Sequence, residues 1–282
     1  MMKQIKSVSH YLQVASRRLD ETLKQLYRPI QQRYATPPTP KKWVFITGCY
    51  NSGTTLLHKI LKADERFGTL PNEGIFYTNQ LPRPQHLGYR RLWALAPDLF
   101  EMNEEGEYPI SAESIKKDWA PWFNNPDAEI LVEKSPPTAG RMRWFQRHFK
   151  NAHFICIVRN GYAVAEGIHR KVGHSLVKTA TQWNVSNEIM LEHIKHLDNV
   201  LLIRYEDLTE NPRSIVRDIY AFIGVEMPVN DFETKAISVH EQQSTIKNMN
   251  ERSFERLTPN DISIIEREAK KMLLHFGYFP KS

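Results

Sequence analysis

From Gly48 to Thr55 the chain reads Gly-Cys-Tyr-Asn-Ser-Gly-Thr-Thr, a loop with a glycine near each end and short polar side chains between them. Residues of these types donate hydrogen bonds to an anion from hydroxyls, from an amide and from backbone N–H groups that the glycines leave uncovered. The apolar run Trp43-Val-Phe-Ile-Thr47 precedes the loop, and a helical pattern beginning at Thr54-Thr-Leu-Leu57 follows it. A strand, a tight loop and a helix in that order aim the first free N–H groups, with a dipole of roughly +0.5 charge, at whatever the loop holds. The loop therefore reads as a phosphate cradle. It lacks the Gly-Lys-Ser/Thr ending with which a nucleoside triphosphatase reaches the β- and γ-phosphates and magnesium, since Gly53 is followed directly by Thr54. A short Gly/Ser/Thr turn also serves as a plain connector, so other residues must join it.

Two further segments place cations at the ends of apolar runs. Phe154-Ile-Cys-Ile-Val158 runs into Arg159, where a guanidinium suits a bidentate pair with phosphate. Ile130-Leu-Val132 runs into Glu133-Lys134-Ser-Pro-Pro137, where the two prolines stiffen the turn and Lys134 offers a compact charge to a developing anion. A third run, Val200-Leu-Leu-Ile203, leads into Tyr205-Glu-Asp-Leu208 and then a helix opened by Pro212.

In this order the segments resemble the sulfotransferases that use 3′-phosphoadenosine 5′-phosphosulfate (PAPS), and in pattern the tyrosylprotein sulfotransferase-like members. The resemblance extends from about residue 43 to residue 250. It implies that Asn51, Ser52, Gly53, Thr54 and Thr55 grip the 5′-phosphosulfate, and that Arg159 and the residue eight places on, Gly167, meet the 3′-phosphate. Tyr205 is implied to lie near the adenine, and Ser244 and Lys247 to contact the phosphosulfate from a late segment. Lys134 is implied to stand beside the transferring sulfuryl group. Glu73, in Leu70-Pro-Asn-Glu-Gly74, is implied as general base, with Glu133 and His86 as substitutes. Gln182-Trp183-Asn184 also matches the tyrosylprotein group, with Trp183 expected in the core.

Two positions depart from the family pattern. Asn51 stands where many members carry Lys or Arg, and losing such a cation costs on the order of 3 kcal/mol, roughly a hundredfold in rate, unless another donor replaces it. Gly167 stands where the family has Ser, which leaves His169, Arg170 or Lys171 to supply the missing donor.

The apolar runs are too short for helices and read as parallel strands buried on both faces, alternating with helical patterns. This predicts an α/β fold, a doubly wound parallel sheet flanked by helices, whose C-terminal strand ends gather the ligand. The resemblance makes it the P-loop NTPase-like sulfotransferase fold. Residues 1–36 read as a basic amphipathic helical extension, 37–42 as a Pro-rich linker, and 43–282 as one catalytic domain with a substrate-facing insertion at about 64–127. A closing helix is expected over 262–276.

With 282 residues, 41% hydrophobic and 25% charged, the chain is long enough for one α/β domain. Its net charge of +6 fits a ligand with several phosphates. No zinc-finger or ribonucleoprotein spacing points to nucleic acid. Two cysteines make a disulfide framework improbable, and no metal-ligand cluster is evident. No run has the length of a signal peptide or membrane span, which predicts a soluble, cytoplasmic protein without membrane association and with a homodimer open to it. The reaction expected is sulfuryl transfer from PAPS to a hydroxyl acceptor, a protein tyrosine, a carbohydrate or a small molecule, without metal. If the acceptor is an acidic peptide, Arg83, Arg90 and Arg91 in the insertion are the residues to receive it. The alternatives are a non-catalytic nucleotide-binding protein of this fold, kept open by Asn51 and Gly167, and a P-loop kinase.

Overall fold

The computed structural model describes residues 30–228, 237–239, 242–244 and 246–279, with backbone alone for 237–239 and 242–244. Most of the expected N-terminal extension thus lies outside the described residues, as does the side chain of Ser244. Residues 30–34 are helical, and within them Gln32 donates through Nε2 to the carbonyls of Tyr77 and Asp118, tying the chain's entry to the insertion.

The centre is a five-stranded sheet of β1 (Lys42–Thr47), β2 (Phe67–Thr69), β3 (Ile130–Lys134), β4 (Ala152–Val158) and β5 (Val200–Arg204). Its order is β2-β3-β1-β4-β5, and every neighbouring pair is parallel. The helices are α1 (Thr54–Lys62), α2 (Ala112–Trp119), α3 (Met142–His148), α4 (Gly161–Val172), α5 (Leu176–Ile194), α6 (Tyr205–Glu210), α7 (Pro212–Ile223), α8 (Asn250–Phe254) and α9 (Pro259–His275). Short β6 (Ile237–Val239) and β7 (Gln242–Ser244) pair antiparallel apart from the sheet. The doubly wound parallel sheet expected from the sequence is present.

Successive side chains of a strand point to opposite faces, and here the two faces are packed with different residues. On one side Trp43 and Phe45 of β1 and Phe154 of β4 join Trp119, Phe145 and Phe149 in an aromatic cluster. Trp43 meets Phe149 edge-on at 4.9 Å, and Phe45 lies 4.8 Å from Phe145. On the other side Val44, Ile46, Ile155 and Ile157 pack against Leu57 and Leu61 of α1 and Val216 and Ile219 of α7. Burying each such side chain contributes about 1.5–3 kcal/mol, so both faces hold β1 at the middle of the sheet.

Two sequence expectations are refined. The stretch read as irregular from residue 64 contains β2, an edge strand of three residues paired to β3. The rest of it is short helical turns and α2, packed on the aromatic face through Trp93, Phe100 and Trp119. The closing helix starts at Pro259 because Thr258 and Asp261 form a capping box there.

Candidate active site

The chain runs from β1 out to β2 and β3 on one side and then to β4 and β5 on the other, so the connections diverge at β1. A crevice outside the strand ends forms at such a switch point. The Gly48–Thr55 loop leaves β1 there, and Thr47 Oγ1 bonds the carbonyls of Ser135 and Pro136, at 3.1 and 3.2 Å, fixing the turn after β3 beside it. Gly53 adopts φ +104°, and a Cβ on it would stand 2.7 Å from the Tyr205 ring, so no other residue fits. It caps α1 with no side-chain hydrogen bond, leaving the first helical N–H groups to a ligand. Ser52 Oγ is buried and has no partner, while Thr54 is buried and Thr55 exposed.

Arg159 follows the last residue of β4. Its Nη1 donates to the Asn51 carbonyl at 2.9 Å, its Nε to Asn250 Oδ1 at 2.8 Å, and its guanidinium lies 4.2 Å from the centre of the Tyr205 ring. Burial pushes this guanidinium down from its ordinary range. Tyr205 is itself buried, and its hydroxyl donates to the Lys247 carbonyl and accepts from Met249 N–H. Sequence reasoning missed Glu206 and Asn250, which complete this arrangement. Glu206 Oε1 accepts from Asn250 Nδ2 at 2.7 Å and from Asn160 N–H at 3.0 Å, and Oε2 accepts from Tyr278 at 2.8 Å. The acidic residue inside Tyr-Glu-Asp-Leu was the available signal for Glu206; nothing local marks Asn250. Trp183 is in the core as expected, and its indole donates to the Arg159 carbonyl.

Asn51 and Gly167, the two departures from the family pattern, touch each other. A Cβ on Gly167 would lie 3.0 Å from Asn51 Nδ2, so a side chain at 167 would press on this amide and displace it by a few tenths of an ångström. Asn51 Oδ1 accepts from Lys171 Nζ at 2.8 Å and from Arg91 Nη1 at 2.9 Å. Of the three proposed substitutes, Lys171 is the one at the loop. His169 Nδ1 instead contacts the His174 carbonyl, and Arg170 pairs with Glu166. Burial first, then Arg91, Arg170 and Arg159, push the Lys171 ammonium down to about 8.

On the β3 side, Glu73 and Lys134 meet at 3.4 Å, both largely covered. Glu133 is fully engaged elsewhere: Oε1 accepts from Gly74 N–H and from the Ser135 hydroxyl, and Oε2 from Thr138 at 3.4 Å. Burial pushes its carboxyl up to about 7. Its contact with Gly74 makes it a support for the Glu73 segment. His86 is exposed on the Pro84–Leu87 turn. Arg83 spends its guanidinium on the carbonyls of Phe76 and Thr78, bracing the insertion, and Arg91 points to the phosphate loop. Lys247 is exposed and reaches the site through its carbonyl. Among the described residues no three His, Cys, Asp or Glu side chains gather as a metal site, and no helix is long and apolar enough to cross a membrane. Cys49 and Cys156 are both buried and free.

The site's fit to a nucleotide with several phosphates rests on these groups. A buried hydroxyl without a partner, an uncapped helix start and three cations without a carboxylate at ion-pair distance among the described residues face one loop.

Comparison with solved structures shows the same fold at low identity. The sulfotransferase domain of the Synechococcus PCC 7002 olefin synthase is 23% identical, with 82% of this chain and 95% of that chain covered at a TM-score of 0.54. A sulfotransferase from Mycobacterium avium is 13% identical, with 90% of this chain and 81% of that chain covered at a TM-score of 0.53. A model described as the sulfotransferase family matches residues 44–229. That span holds the phosphate loop, Glu73, Lys134, Arg159 and Tyr205, the segments gathered at the strand ends, and the chain belongs to the sulfotransferase family.

Proposed function

We propose that this protein transfers a sulfuryl group from PAPS to a hydroxyl acceptor, with Glu73 as the base. The observation that carries the reading is the Glu73–Lys134 pair, held at 3.4 Å at the end of β3 and next to the phosphate loop of β1. The chemistry supplied on donor binding is an activated sulfuryl group: the acceptor oxygen bonds to sulfur, the sulfur–oxygen bond to the 5′-phosphate breaks, and adenosine 3′,5′-bisphosphate leaves with the electron pair. Glu73 takes the acceptor's proton on a carboxylate oxygen. Lys134 stabilises negative charge on the sulfuryl oxygens, and the N–H groups and hydroxyls of residues 52–55 do the same for the departing phosphate. Arg159, gripped from three sides, holds the 3′-phosphate that distinguishes this donor from other adenine nucleotides. Tyr205 sets the guanidinium's plane. The acceptor's class, tyrosine, carbohydrate or small molecule, is not fixed by the donor chemistry.

The test is calorimetric titration with adenosine 3′,5′-bisphosphate, with 5′-AMP and ATP–magnesium as controls. Tight binding of the bisphosphate, weakened about tenfold to a hundredfold by Arg159→Ala, is expected from the loss of charge-assisted hydrogen bonds of about 1.5–3 kcal/mol. Preference for ATP–magnesium sinks the reading in favour of a kinase. Bisphosphate binding without sulfuryl transfer to any hydroxyl in a broad acceptor panel marks a non-catalytic nucleotide-binding protein.

A further inference from the structure

Arg91 belongs to the insertion, far in sequence from the phosphate loop, yet it touches two successive loop residues. Its guanidinium lies 5.6 Å from the centre of the Tyr50 ring, and Nη1 donates to Asn51 Oδ1 at 2.9 Å. The backbone is bent to put it there. Arg91 has φ +61°, a conformation costly for a residue with a Cβ, and its neighbours are anchored on both sides. The Arg90 carbonyl contacts His174 Nε2 at 2.9 Å, and Leu92 is buried with its N–H bonded to Tyr89. Asn51 is also left-handed, at φ +65°, and the Nδ2 of its amide is buried with no partner.

Three cations from three segments thus converge on Asn51: Arg91 from the insertion, Arg159 from the end of β4 and Lys171 from the end of α4. A carboxylate among them would make this an ordinary ion-pair network. Among the described residues none lies at ion-pair distance; Glu166 and Glu206 act on the group only from farther away, and burial first, then the like charges, depresses Lys171. Crowded positive charge of this kind is relieved by a polyanion. The loop itself contains no cation between Gly48 and Thr55.

We infer that Arg91 is a donor-binding residue, which brings to the 5′-phosphate end of the nucleotide the positive charge absent from the loop, with Asn51 as the hook that positions it. The assignment to the 5′ end follows from where the two guanidiniums are held: both bond Asn51, but Arg91 lies over the ring of Tyr50 inside the loop, whereas Arg159 lies over the ring of Tyr205 after β5. Asn51 and Gly167 are then one feature, since a side chain at 167 would press on the amide that forms the hook. The insertion also becomes part of the donor site in addition to bordering the acceptor. This inference rests on the PAPS reading above, and the experiment separates the two.

Wild type, Arg91→Asn, Arg91→Lys and Arg159→Ala are titrated calorimetrically with adenosine 3′,5′-bisphosphate, 5′-AMP and 3′-AMP, and their melting temperatures are recorded. Asn tolerates the left-handed φ, so Arg91→Asn removes the charge without adding backbone strain. The expected result is about a tenfold loss for the two nucleotides with a 5′-phosphate, no loss for 3′-AMP, an unchanged melting temperature, and partial recovery in Arg91→Lys. Arg159→Ala should show the opposite selectivity, losing affinity for the nucleotides with a 3′-phosphate. If wild type binds the bisphosphate and Arg91→Asn binds it equally well, or loses 3′-AMP to the same degree, the role of Arg91 is overturned while the donor site stands. A wild type that binds none of the three nucleotides overturns the donor site, and the assignment of Arg91 with it.

Discussion

On the β1–β4 side, the arginine of the proposed nucleotide cradle is tied to several other segments, while Ser52 Oγ is left without a partner. Arg159 is held by Asn51, Asn250 and the Tyr205 ring, and Asn250 in turn by Glu206. On the β3 side, the side chains of Glu73 and Lys134 meet in a single 3.4 Å contact, while the neighbouring Glu133 absorbs the structural hydrogen bonds. On the proposed function the difference follows from the two tasks. A binding site gains from groups fixed before the ligand arrives, whereas a proton acceptor must keep an oxygen free for the substrate.

The largest test of this contrast is Glu73→Gln, which keeps the shape and removes the basicity. It should lower kcat by roughly 10²–10⁴-fold while leaving the affinity for adenosine 3′,5′-bisphosphate unchanged. If affinity falls along with rate, the two sides are not separable and the contrast fails.

The second test sets Glu133 against Glu73. Its carboxyl, pushed up to about 7 by burial, keeps its proton in the folded chain at pH values where the unfolded chain has lost it. Below about pH 4.5 both states are protonated and nothing changes. Between 4.5 and 7 the native state binds more protons than the unfolded one, so stability falls as pH rises, by up to about 3 kcal/mol in all. Burial of His58, His148 and His153 tilts stability the other way over this range, so the slope is read as the difference between thermal melts of wild type and Glu133→Gln from pH 4.5 to 7.5. An unchanged slope in the variant would return Glu133 to the list of candidate bases.

The smallest effect concerns Lys171, faced by Arg91, Arg170, Arg159 and Glu166. With its ammonium at about 8, half of the free protein lacks this proton at pH 8, and a bound polyanion restores it. Bisphosphate binding near pH 8 should therefore take up a fraction of a proton, measurable by calorimetry in buffers of different ionisation enthalpy. Affinity should decline as pH rises above 8, by at most about tenfold per pH unit. Binding without proton uptake would place Lys171 outside the cradle.

The sheet was legible where burial on both faces turns a strand into an apolar run, as in β1, β3 and β4. Phe67-Gly-Thr69 was not, because three edge residues with a glycine carry no such pattern. Within the candidate site, the meeting of the loop with Arg159 was legible because each ends an apolar run of the sequence. The Glu206–Asn250–Arg159 chain was not, since its members lie on three segments brought together only by the fold. Arg91 was read together with Arg83 and Arg90 as a receiver for an acidic peptide, should the acceptor be one, and its contact with the loop was not foreseen. Its direction is set by a backbone angle that no side-chain pattern reports.

The sheet order also has a consequence for how the protein is made. β1 leaves the ribosome before its partners β3 and β4, and its first partner register is with Ile130–Lys134. Until that segment has been synthesised, Trp43, Phe45 and the rest of β1 have no native neighbour strand, and the nascent chain carries an unpaired apolar β-segment through most of the insertion's translation. Parallel pairing across a long separation is slow and prone to association. Chaperone occupancy before residue 134 is therefore expected to raise the yield of folded protein.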